Sequence, residues 1–272
     1  MTLGLEELGT FAFWRAALAE LVGTFFFAFL GLLSTTAFPG FATGDIVRIG
    51  LAFGLAIATM VHCTAHISGG HLNPAVTIGF LSVCKIPLAR AILYVVMQCI
   101  GAIAGAGLVY AFTPRGLNDL VGPTTPFSNS DMTVDGWQAF MIELFLTAQL
   151  VLTVFATVDP NRKDLNGSGP LAIGLAVALG HFAAIPYTGA SMNPARSFGS
   201  AVVGGEWTDH WVYWIGPILG GILAAIVYNF ILDPTSSKNR IRNWCSPVLE
   251  NEPNGDLKMS SIEQNQNQAG EP

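Results

Sequence analysis

The stretch HISGGHLNPAVTIG, residues 66–79, decides the fold of this chain. It lies in the run 49–84, which has no Asp, Glu, Lys or Arg, yet it holds two His, three Gly, an Asn and a Pro. These residues are unfavourable inside a long apolar helix, because Gly and Pro weaken the helix and Asn favours its start. The stretch therefore predicts that the helix breaks where the chain is most apolar.

The composition is typical of a membrane protein. Of 272 residues, 51% are hydrophobic and 11% are charged, whereas a soluble domain has roughly 25% charged residues. Several segments exceed the roughly 20 residues that cross a bilayer core, and the two near 14–36 and 136–158 contain one acid each. The uncharged runs are 49–84, 91–114, 144–158, 165–195 and 210–232. Together these segments predict six spans.

The chain repeats itself at an offset of 120 residues. Residues 51–79 align without a gap on residues 171–199, and 11 of the 29 aligned positions are identical. Asn-Pro-Ala at 73–75 falls on Asn-Pro-Ala at 193–195. Each copy carries three spans, and because three is odd the second copy must enter the membrane from the opposite face. The sequence thus predicts an inverted repeat.

Each Asn-Pro pair predicts the start of a short helix, because Asn is favoured as an N-cap and Pro at the first helical position. The segments that follow Asn73-Pro74 and Asn193-Pro194 are too short to span a bilayer. We therefore expect two half-helices that begin near the membrane midplane and run back to opposite surfaces. The alternative is a simple kink in a full span, and the duplication at one fixed offset argues against it.

The positions of Lys and Arg predict the orientation. Nine of the twelve fall on the side that carries both termini, so the positive-inside rule places both termini in the cytoplasm. We expect a cytosolic N-terminus at 1–10, a membrane domain at 11–232 with repeats at about 11–112 and 134–232, and a flexible cytosolic tail at 233–272. The net charge of −6 is modest, and we expect no binding to nucleic acid.

The four cysteines, at positions 63, 84, 99 and 245, show no paired spacing, and three lie in apolar segments. We expect them to be packing residues, with no disulfide and no metal site. The chain has no nucleotide motif and no nucleophile with its base, so neither an enzyme nor a cofactor is expected.

The two loops, HISGGHLNPAVT and YTGASMNPARSFGSAV, together with six spans in two repeats, resemble those of the aquaporins over about residues 11–232. The resemblance implies an all-α membrane protein with six transmembrane helices and two half-helices in an inverted three-helix repeat. It also implies a homotetramer in a lipid bilayer, expected to be the plasma membrane, with one water pore per subunit.

Within that family the sequence is similar to the water-selective branch. Relatives that pass glycerol usually have Asp after the second Asn-Pro-Ala-Arg, where this chain has Ser197. They also tend to lack the aromatic and His residues that narrow the pore, here Phe53 and His181. The resemblance implies a narrow outer constriction made by Phe53, His181, Ala190 and Arg196, in which Arg and His offer donors to water.

Other residues are expected to complete the water path. The side-chain amides of Asn73 and Asn193 should present donors at its centre. Backbone carbonyls that no helix pairs should bind water on either side, and these belong to Gly69, Gly70, His71, Gly189, Ala190 and Ser191. Glu20 and Glu143 are buried acids at matched repeat positions, and we expect them to accept hydrogen bonds from loop N–H groups.

The sequence predicts a passive channel that conducts water in single file and excludes protons and ions. Two alternatives remain open: a channel of wider selectivity for glycerol, ammonia or hydrogen peroxide, and a junction or scaffold membrane protein with slow water conduction. The width of the constriction at Phe53, His181 and Ser197 distinguishes the first alternative, and contacts of the extracellular loops distinguish the second.

Overall fold

The computed structural model describes residues 2–36, 38, 45–117, 122–126, 128, 131–162, 169–234, 236, 244, 249–251 and 257–259. Six long apolar helices confirm the predicted spans. They are α1 (Phe11–Leu33), α2 (Ile46–Ser68), α4 (Leu88–Phe112), α5 (Gly136–Thr157), α6 (Gly169–Thr188) and α8 (Val212–Val227), the last continued by a π-helical turn at Tyr228–Leu232.

Five shorter elements complete the described fold. The half-helices are α3 (Pro74–Ser82) and α7 (Pro194–Gly204), and a 3-10 helix at Leu5–Gly9 precedes α1. Two strands, β1 (Leu249–Asn251) and β2 (Leu257–Met259), pair antiparallel within the segment that was predicted to be a flexible tail. Most of that tail, including Cys245, lies outside the described residues.

Polar side chains start several of the helices. Thr10 accepts a hydrogen bond from the third residue of α1, and Asp45 accepts two from the first turn of α2. Asp135 and Gln138 form a reciprocal capping box at α5. Helix α4 differs, because it begins after Pro87, which provides no side-chain cap.

Small residues bring the helices together within and between the repeats. Gly105 of α4 lies so close to α1 that a Cβ there would be 2.6 Å from the carbonyl oxygen of Phe25. Gly54 of α2 and Gly174 of α6 face each other, and a Cβ on either would lie 2.5–2.6 Å from the other's carbonyl oxygen. Such close backbone approach is typical of helices packed inside a membrane. Gly105 thus packs two helices of the first repeat, and Gly54 with Gly174 joins the two repeats.

The outer faces of the long helices are apolar and exposed. Leu18 is 55% exposed, Phe145 60% and Leu175 57%. The buried interior instead contains Glu20, Glu143 and Arg196, each at most 2% exposed. Apolar side chains outside and charged side chains inside fit a protein surrounded by lipid. The protein is an integral membrane protein.

Candidate functional site: a pore between two half-helices

The two half-helices begin with the same cap. Oδ1 of Asn73 accepts a hydrogen bond from the backbone N–H of Ala75 at 2.8 Å. Oδ1 of Asn193 accepts from Ala195 at 3.0 Å and from Arg196 at 3.3 Å. Each Asn thus satisfies helical N–H groups with its oxygen, and Pro occupies the first helical position after it.

The amide nitrogens of the same two residues bind across the repeat boundary. Nδ2 of Asn73 donates to the carbonyl oxygen of Met192 at 2.8 Å, and Nδ2 of Asn193 donates to that of Leu72 at 2.9 Å. An amide nitrogen carries two hydrogens, and each of these nitrogens has one partner among the described residues. One N–H of each Asn is therefore left for a molecule between the half-helices.

The loop before each half-helix has an unusual backbone that is repeated in both copies. Gly70 and Ala190 have φ of 61° and 52°, and Leu72 and Met192 have φ of 50° and 52°. This left-handed region is unfavourable for residues with a Cβ. The turns occur at matched positions, which keeps both loops out of helical hydrogen bonding.

The loop carbonyls that were predicted to bind water are open. Among the described residues, no hydrogen bond ends on the carbonyl oxygens of residues 69–71 or 189–191. The flanking carbonyls are occupied, since those of Leu72 and Met192 accept the Asn amides. Each loop therefore presents three carbonyl oxygens without a protein donor.

Buried carboxylates hold both loops. Glu20 accepts the backbone N–H groups of His71 at 2.9 Å and Leu72 at 2.6 Å. Glu143 accepts those of Ser191 at 2.9 Å and Met192 at 2.8 Å. A non-helical backbone at this depth needs such acceptors, because water is absent from the bilayer core.

Two tyrosines that the sequence analysis missed support the same loops. Tyr94 donates its O–H to the carbonyl of Ser68, and Tyr213 donates to that of Thr188, both at 2.9 Å. The hydroxyls of Ser68 and Thr188 in turn donate to Glu20 and Glu143. The offset of 120 residues pairs only their partners Ser68 and Thr188, because Tyr94 and Tyr213 are 119 residues apart.

A polar network also lies behind each Asn. Around Asn73, Thr77 Oγ1 contacts the Nδ1 atom of His71 at 3.2 Å and accepts a hydrogen bond from Gln98 at 3.0 Å. In the second repeat the network is formed instead by the hydroxyls of Ser191, Ser197 and Thr124. Gln98 and Thr124 lie outside the aligned stretches 51–79 and 171–199, so that comparison could not find them.

A cavity lies between the half-helices. Both capping residues line it, together with His71 and Ser191 from the loops. Most of the remaining wall is apolar, formed by Phe27, Ile57, Val61, Val76, Leu150, Val154, Ile173, Val177 and Met192. The cavity is thus largely apolar, with polar groups from the loops and from the two capping residues.

Three of the four predicted constriction residues lie together. The rings of Phe53 and His181 stack at 4.5 Å between centroids. The guanidinium of Arg196 lies 5.0 Å from the centre of the Phe53 ring, a cation–π distance. Nη1 of Arg196 donates to the carbonyl of Gly122 at 2.7 Å, a contact from the loop between the repeats that the sequence did not reveal.

The fourth, Ala190, contributes from the loop. It is fully buried, and it follows Gly189, which packs beside Pro123 and Thr124 in the segment that binds Arg196. No ring contact or hydrogen bond joins Ala190 directly to Phe53 or His181 in the described part of the chain.

The residues of the predicted constriction include both kinds of hydrogen-bonding group. Nε of Arg196 and Nε2 of His181 are buried without a partner among the described residues. Nδ1 of His181 lies 2.9 Å from the carbonyl of Val177, and because a carbonyl only accepts, Nδ1 carries the proton. Nε2 of the neutral ring is then an acceptor. In the neutral ring only Arg196 offers a donor here, and the donor role expected of His181 stays a prediction.

The cysteines also differ in part from expectation. Cys63 and Cys99 are free, but Cys84 is disulfide-bonded, so the prediction of no disulfide is wrong. Cys84 lies just after α3 with φ of 58°. It belongs to the connection between α3 and α4, not to the apolar packing of a span, and its place outside a helix was not evident from the charge-free run.

Comparison with known proteins agrees with this geometry. The family model described as major intrinsic protein matches residues 7–228. Aquaporin-4 of Mus musculus is 45% identical over 252 residues, which cover 91% of this chain and 77% of that protein. Aquaporin-1 of Homo sapiens is 46% identical over 246 residues, which cover 88% and 90%.

A solved structure is also similar. The X-ray structure of the aquaglyceroporin from Plasmodium falciparum matches with a TM-score of 0.73 and 27% sequence identity, over 82% of this chain and 98% of that chain. The fold and the paired half-helices define a membrane channel built from an inverted repeat. The chain belongs to the major intrinsic protein family, the family of the aquaporins.

Proposed function

We propose that the protein is a passive water-selective channel, and the reciprocal geometry of Asn73 and Asn193 carries this proposal. Each residue caps a half-helix with its oxygen and keeps one N–H free beside the cavity. A helix N-terminus bears roughly half a positive charge. Two such ends with two donors favour a single molecule whose oxygen faces both, as water can.

The same arrangement opposes proton transfer. A water molecule that accepts from both Asn amides must point its own hydrogens away from the centre, so the file of waters cannot relay a proton through it. The two positive helix ends also repel hydronium and sodium, since each cation would have to approach them in a region of low dielectric. Neutral water crosses the centre, and cations meet an electrostatic barrier.

The outer constriction adds selection by size and hydrogen bonding. Phe53 and His181 form one stacked wall, while Arg196 offers Nε–H and His181 offers an acceptor. A water molecule can satisfy both groups at once, because it donates and accepts. Glycerol needs more width than water, so the stacked rings support the water-selective function over the wider alternative.

The assembly and orientation are part of the proposal. From the resemblance to the aquaporins we propose a homotetramer with one pore in each subunit, in the plasma membrane. The excess of Lys and Arg on the side of both termini supports a cytoplasmic position for them. Ala190 and the open carbonyls of residues 69–71 and 189–191 complete the proposed water path.

Stopped-flow light scattering of liposomes that contain the purified protein tests the function. We expect fast osmotic shrinkage in sucrose, with an activation energy lower than that of protein-free liposomes, and no added glycerol permeability. Rapid glycerol uptake would favour the wider channel. Water permeability equal to that of empty liposomes, with folded protein present, would reject both channel functions and favour a junction or scaffold role.

A further inference from the structure

The N-terminal arm, defined here as residues 2–9, lies against the start of α4. The carbonyl oxygens of Thr2 and Leu3 accept hydrogen bonds from the backbone N–H groups of Leu88 at 3.2 Å and Ala89 at 3.0 Å. These N–H groups belong to the first turn of α4 and have no partner inside the helix. Because Pro87 cannot cap the helix, the arm provides the missing acceptors.

An ion pair fixes the arm further. Oε2 of Glu7 lies 2.9 Å from Nε and 2.8 Å from Nη2 of Arg90, so one carboxylate oxygen accepts from two guanidinium nitrogens. The side chains are 28% and 24% exposed. A pair that is this sheltered, with two donors on one oxygen, is more ordered than a typical surface pair.

The arm also fits its contact surface closely. Gly4 has φ of 68°, and a Cβ there would lie 2.5 Å from Cβ of Pro87. Only glycine allows both this backbone angle and this approach. At its other end the arm is joined to α1, because Thr10, the cap of α1, donates its N–H and its hydroxyl to the carbonyl of Glu7.

The start of α4 is in turn connected to the pore. Tyr94 follows Arg90 by one helical turn, so both lie on the same face of α4. The Tyr94 ring meets the His71 ring edge-on at 5.5 Å, and its O–H holds the carbonyl of Ser68. His71 lines the central cavity. A shift of α4 at Arg90 would therefore move the loop that carries the pore carbonyls.

A second connection runs through α3. Only residues 83–87 separate the end of α3 from the start of α4. Phe80 of α3 stacks on His71 at 4.7 Å and on Phe155 at 4.5 Å, and the ammonium of Lys85 lies 4.9 Å from the Phe155 ring centre. The contacts of α3 and of the first loop thus come together beside residues 83–87, which lead into the start of α4 that the N-terminal arm holds.

We propose that the N-terminal arm is a positioning clamp for the first pore loop and half-helix α3. Glu7 is a positioning residue that acts through Arg90 and Tyr94. When the clamp is closed, α4 holds His71 and the carbonyls of residues 69–71 in the conducting arrangement. This inference rests on the proposed function as a water channel.

Water permeability per folded protein tests the clamp, measured in liposomes with the full chain. For Glu7→Gln we expect a decrease of about twofold or more, which is the size of typical coupling between linked sites. The double variant Glu7→Arg with Arg90→Glu restores the opposite charges and should regain most of the loss. Glu6→Gln, at an exposed neighbour, is the matched control and should conduct like the original protein.

A pair of glycine variants tests the clamp without changing charge. Gly4→Ala should lower the permeability because the added Cβ collides with Pro87, whereas a Cβ at Gly9 meets nothing within 4 Å. Gly9→Ala is therefore the control. If Glu7→Gln does not fold, Glu7→Asp replaces it, since the shorter acid keeps the charge but cannot reach Arg90 as well, and an intermediate decrease is expected.

The outcomes distinguish the clamp from a contact that only stabilises the fold, and they distinguish failure of the clamp from failure of the channel function. If the original protein conducts water while Glu7→Gln and Gly4→Ala lower only the thermal unfolding midpoint, with unchanged permeability per folded protein, the clamp is wrong and the channel stands. A decrease that the swapped ion pair does not restore also overturns the role of Glu7. If the original protein does not conduct water, the channel function itself fails.

Discussion

The side chain of Asn73 joins the two repeats, because its amide nitrogen donates to the carbonyl oxygen of Met192 at 2.8 Å while its oxygen caps α3. Likewise, the amide nitrogen of Asn193 donates to the carbonyl oxygen of Leu72 while its oxygen caps α7. Five hydrogen bonds of these two amides, two of them across the repeats, thus fix the distance and direction of two helix starts that belong to opposite halves of the chain. The two residues that start the half-helices thus also join the repeats, and both line the central cavity.

The variant Asn73→Asp should separate the capping of α3 by Asn73 from its bond to the other repeat. Asp keeps an oxygen for the N–H of Ala75, and a negative charge is favourable at a helix N-terminus. Its second oxygen would face the Met192 carbonyl without a hydrogen to share, so the junction between the repeats should open. We expect water permeability per folded protein to fall while α3 remains capped.

Asn73→Ala should be more harmful to folding, because it also removes the cap, at a cost of about 0.5–2 kcal/mol. Thermal unfolding and stopped-flow permeability are measured on both variants. Gln138→Glu, an amide-to-acid change at an exposed helix start, serves as control. Unchanged permeability in Asn73→Asp would show that the junction is not required for conduction.

The two buried acids should respond differently to amide exchange. Each oxygen of Glu20 accepts two hydrogen bonds, so in Glu20→Gln the new NH₂ group faces two donors whichever way the amide turns. One oxygen of Glu143 accepts only from Met192, so Glu143→Gln can leave a single donor unsatisfied. An unpaired buried donor costs about 1–3 kcal/mol.

We therefore expect the thermal midpoint to fall further for Glu20→Gln than for Glu143→Gln. Differential scanning fluorimetry in detergent compares the two, with Glu6→Gln as the exposed control. Equal or reversed shifts would mean that the network around Gln98 does not constrain Glu20 as its hydrogen bonds indicate.

Stability should also depend on pH through His210, which precedes α8. Its Nε2 accepts a hydrogen bond from Nε1 of Trp214 at 3.2 Å, and burial lowers the pKa of this His below its ordinary 6.5. The unfolded chain then binds the proton more readily than the folded chain. The contribution of His210 to the free energy of unfolding is fully present above about pH 6.5 and is lost as the pH falls below this value.

Thermal unfolding between about pH 7.5 and pH 5 measures this effect, and the midpoint should decrease toward acid. His210→Gln keeps an acceptor but does not titrate, so its midpoint should depend less on pH. If the two profiles are parallel, titration of His210 does not contribute to stability.

The sequence predicted the features of the fold that depend on local pattern. The spans followed from apolar length, and the half-helices followed from Asn-Pro pairs at a fixed offset. The structure starts α3 at Pro74 and α7 at Pro194, directly after the predicted caps. These signals are strong because helix capping and span length are determined by residues that are adjacent in the chain.

Other contacts could not be predicted because they join segments that no periodic pattern relates. Gly122 binds Arg196 from the loop between the repeats, and Thr2 binds the start of α4 over 86 residues of chain. The tautomer of His181 depends on the direction of one carbonyl, that of Val177. Such contacts are known only once the helices have been positioned relative to one another in three dimensions.

Mercurial reagents should leave conduction unchanged. Cys63 and Cys99 are free, but neither lines the central cavity, and Cys84 is in a disulfide. The proposed constriction has Ala190 and no sulfur. Ala190→Cys should create sensitivity, since both residues carry a Cβ and share the same strained backbone angle. Strong inhibition of the original protein would contradict this, and Cys63→Ser and Cys99→Ser would then identify the reactive thiol.

Width and charge at the constriction should control different solutes. Phe53 and His181 form the stacked wall, so the double variant Phe53→Ala with His181→Ala removes two rings while Arg196 keeps its bond to Gly122. We expect this variant to admit glycerol and urea and still to conduct water. Swelling of liposomes in each solute measures the change, and a double variant that remains impermeable to glycerol, although folded, would place the filter elsewhere.

Arg196→Val should instead affect ions. The substitution removes a buried positive charge that lies 5.0 Å from the Phe53 ring centre, and with it part of the barrier to cations. The half-helix ends at Asn73 and Asn193 keep their partial charges, so we expect a small leak of protons or sodium and not a large current. A pH-sensitive dye inside the liposomes reports the proton leak under a fixed potential. The width variant, which retains Arg196, should show none, because repulsion by the guanidinium does not depend on the rings. A leak of equal size in both variants would show that the rings, and not the charge of Arg196, exclude ions at this end of the pore.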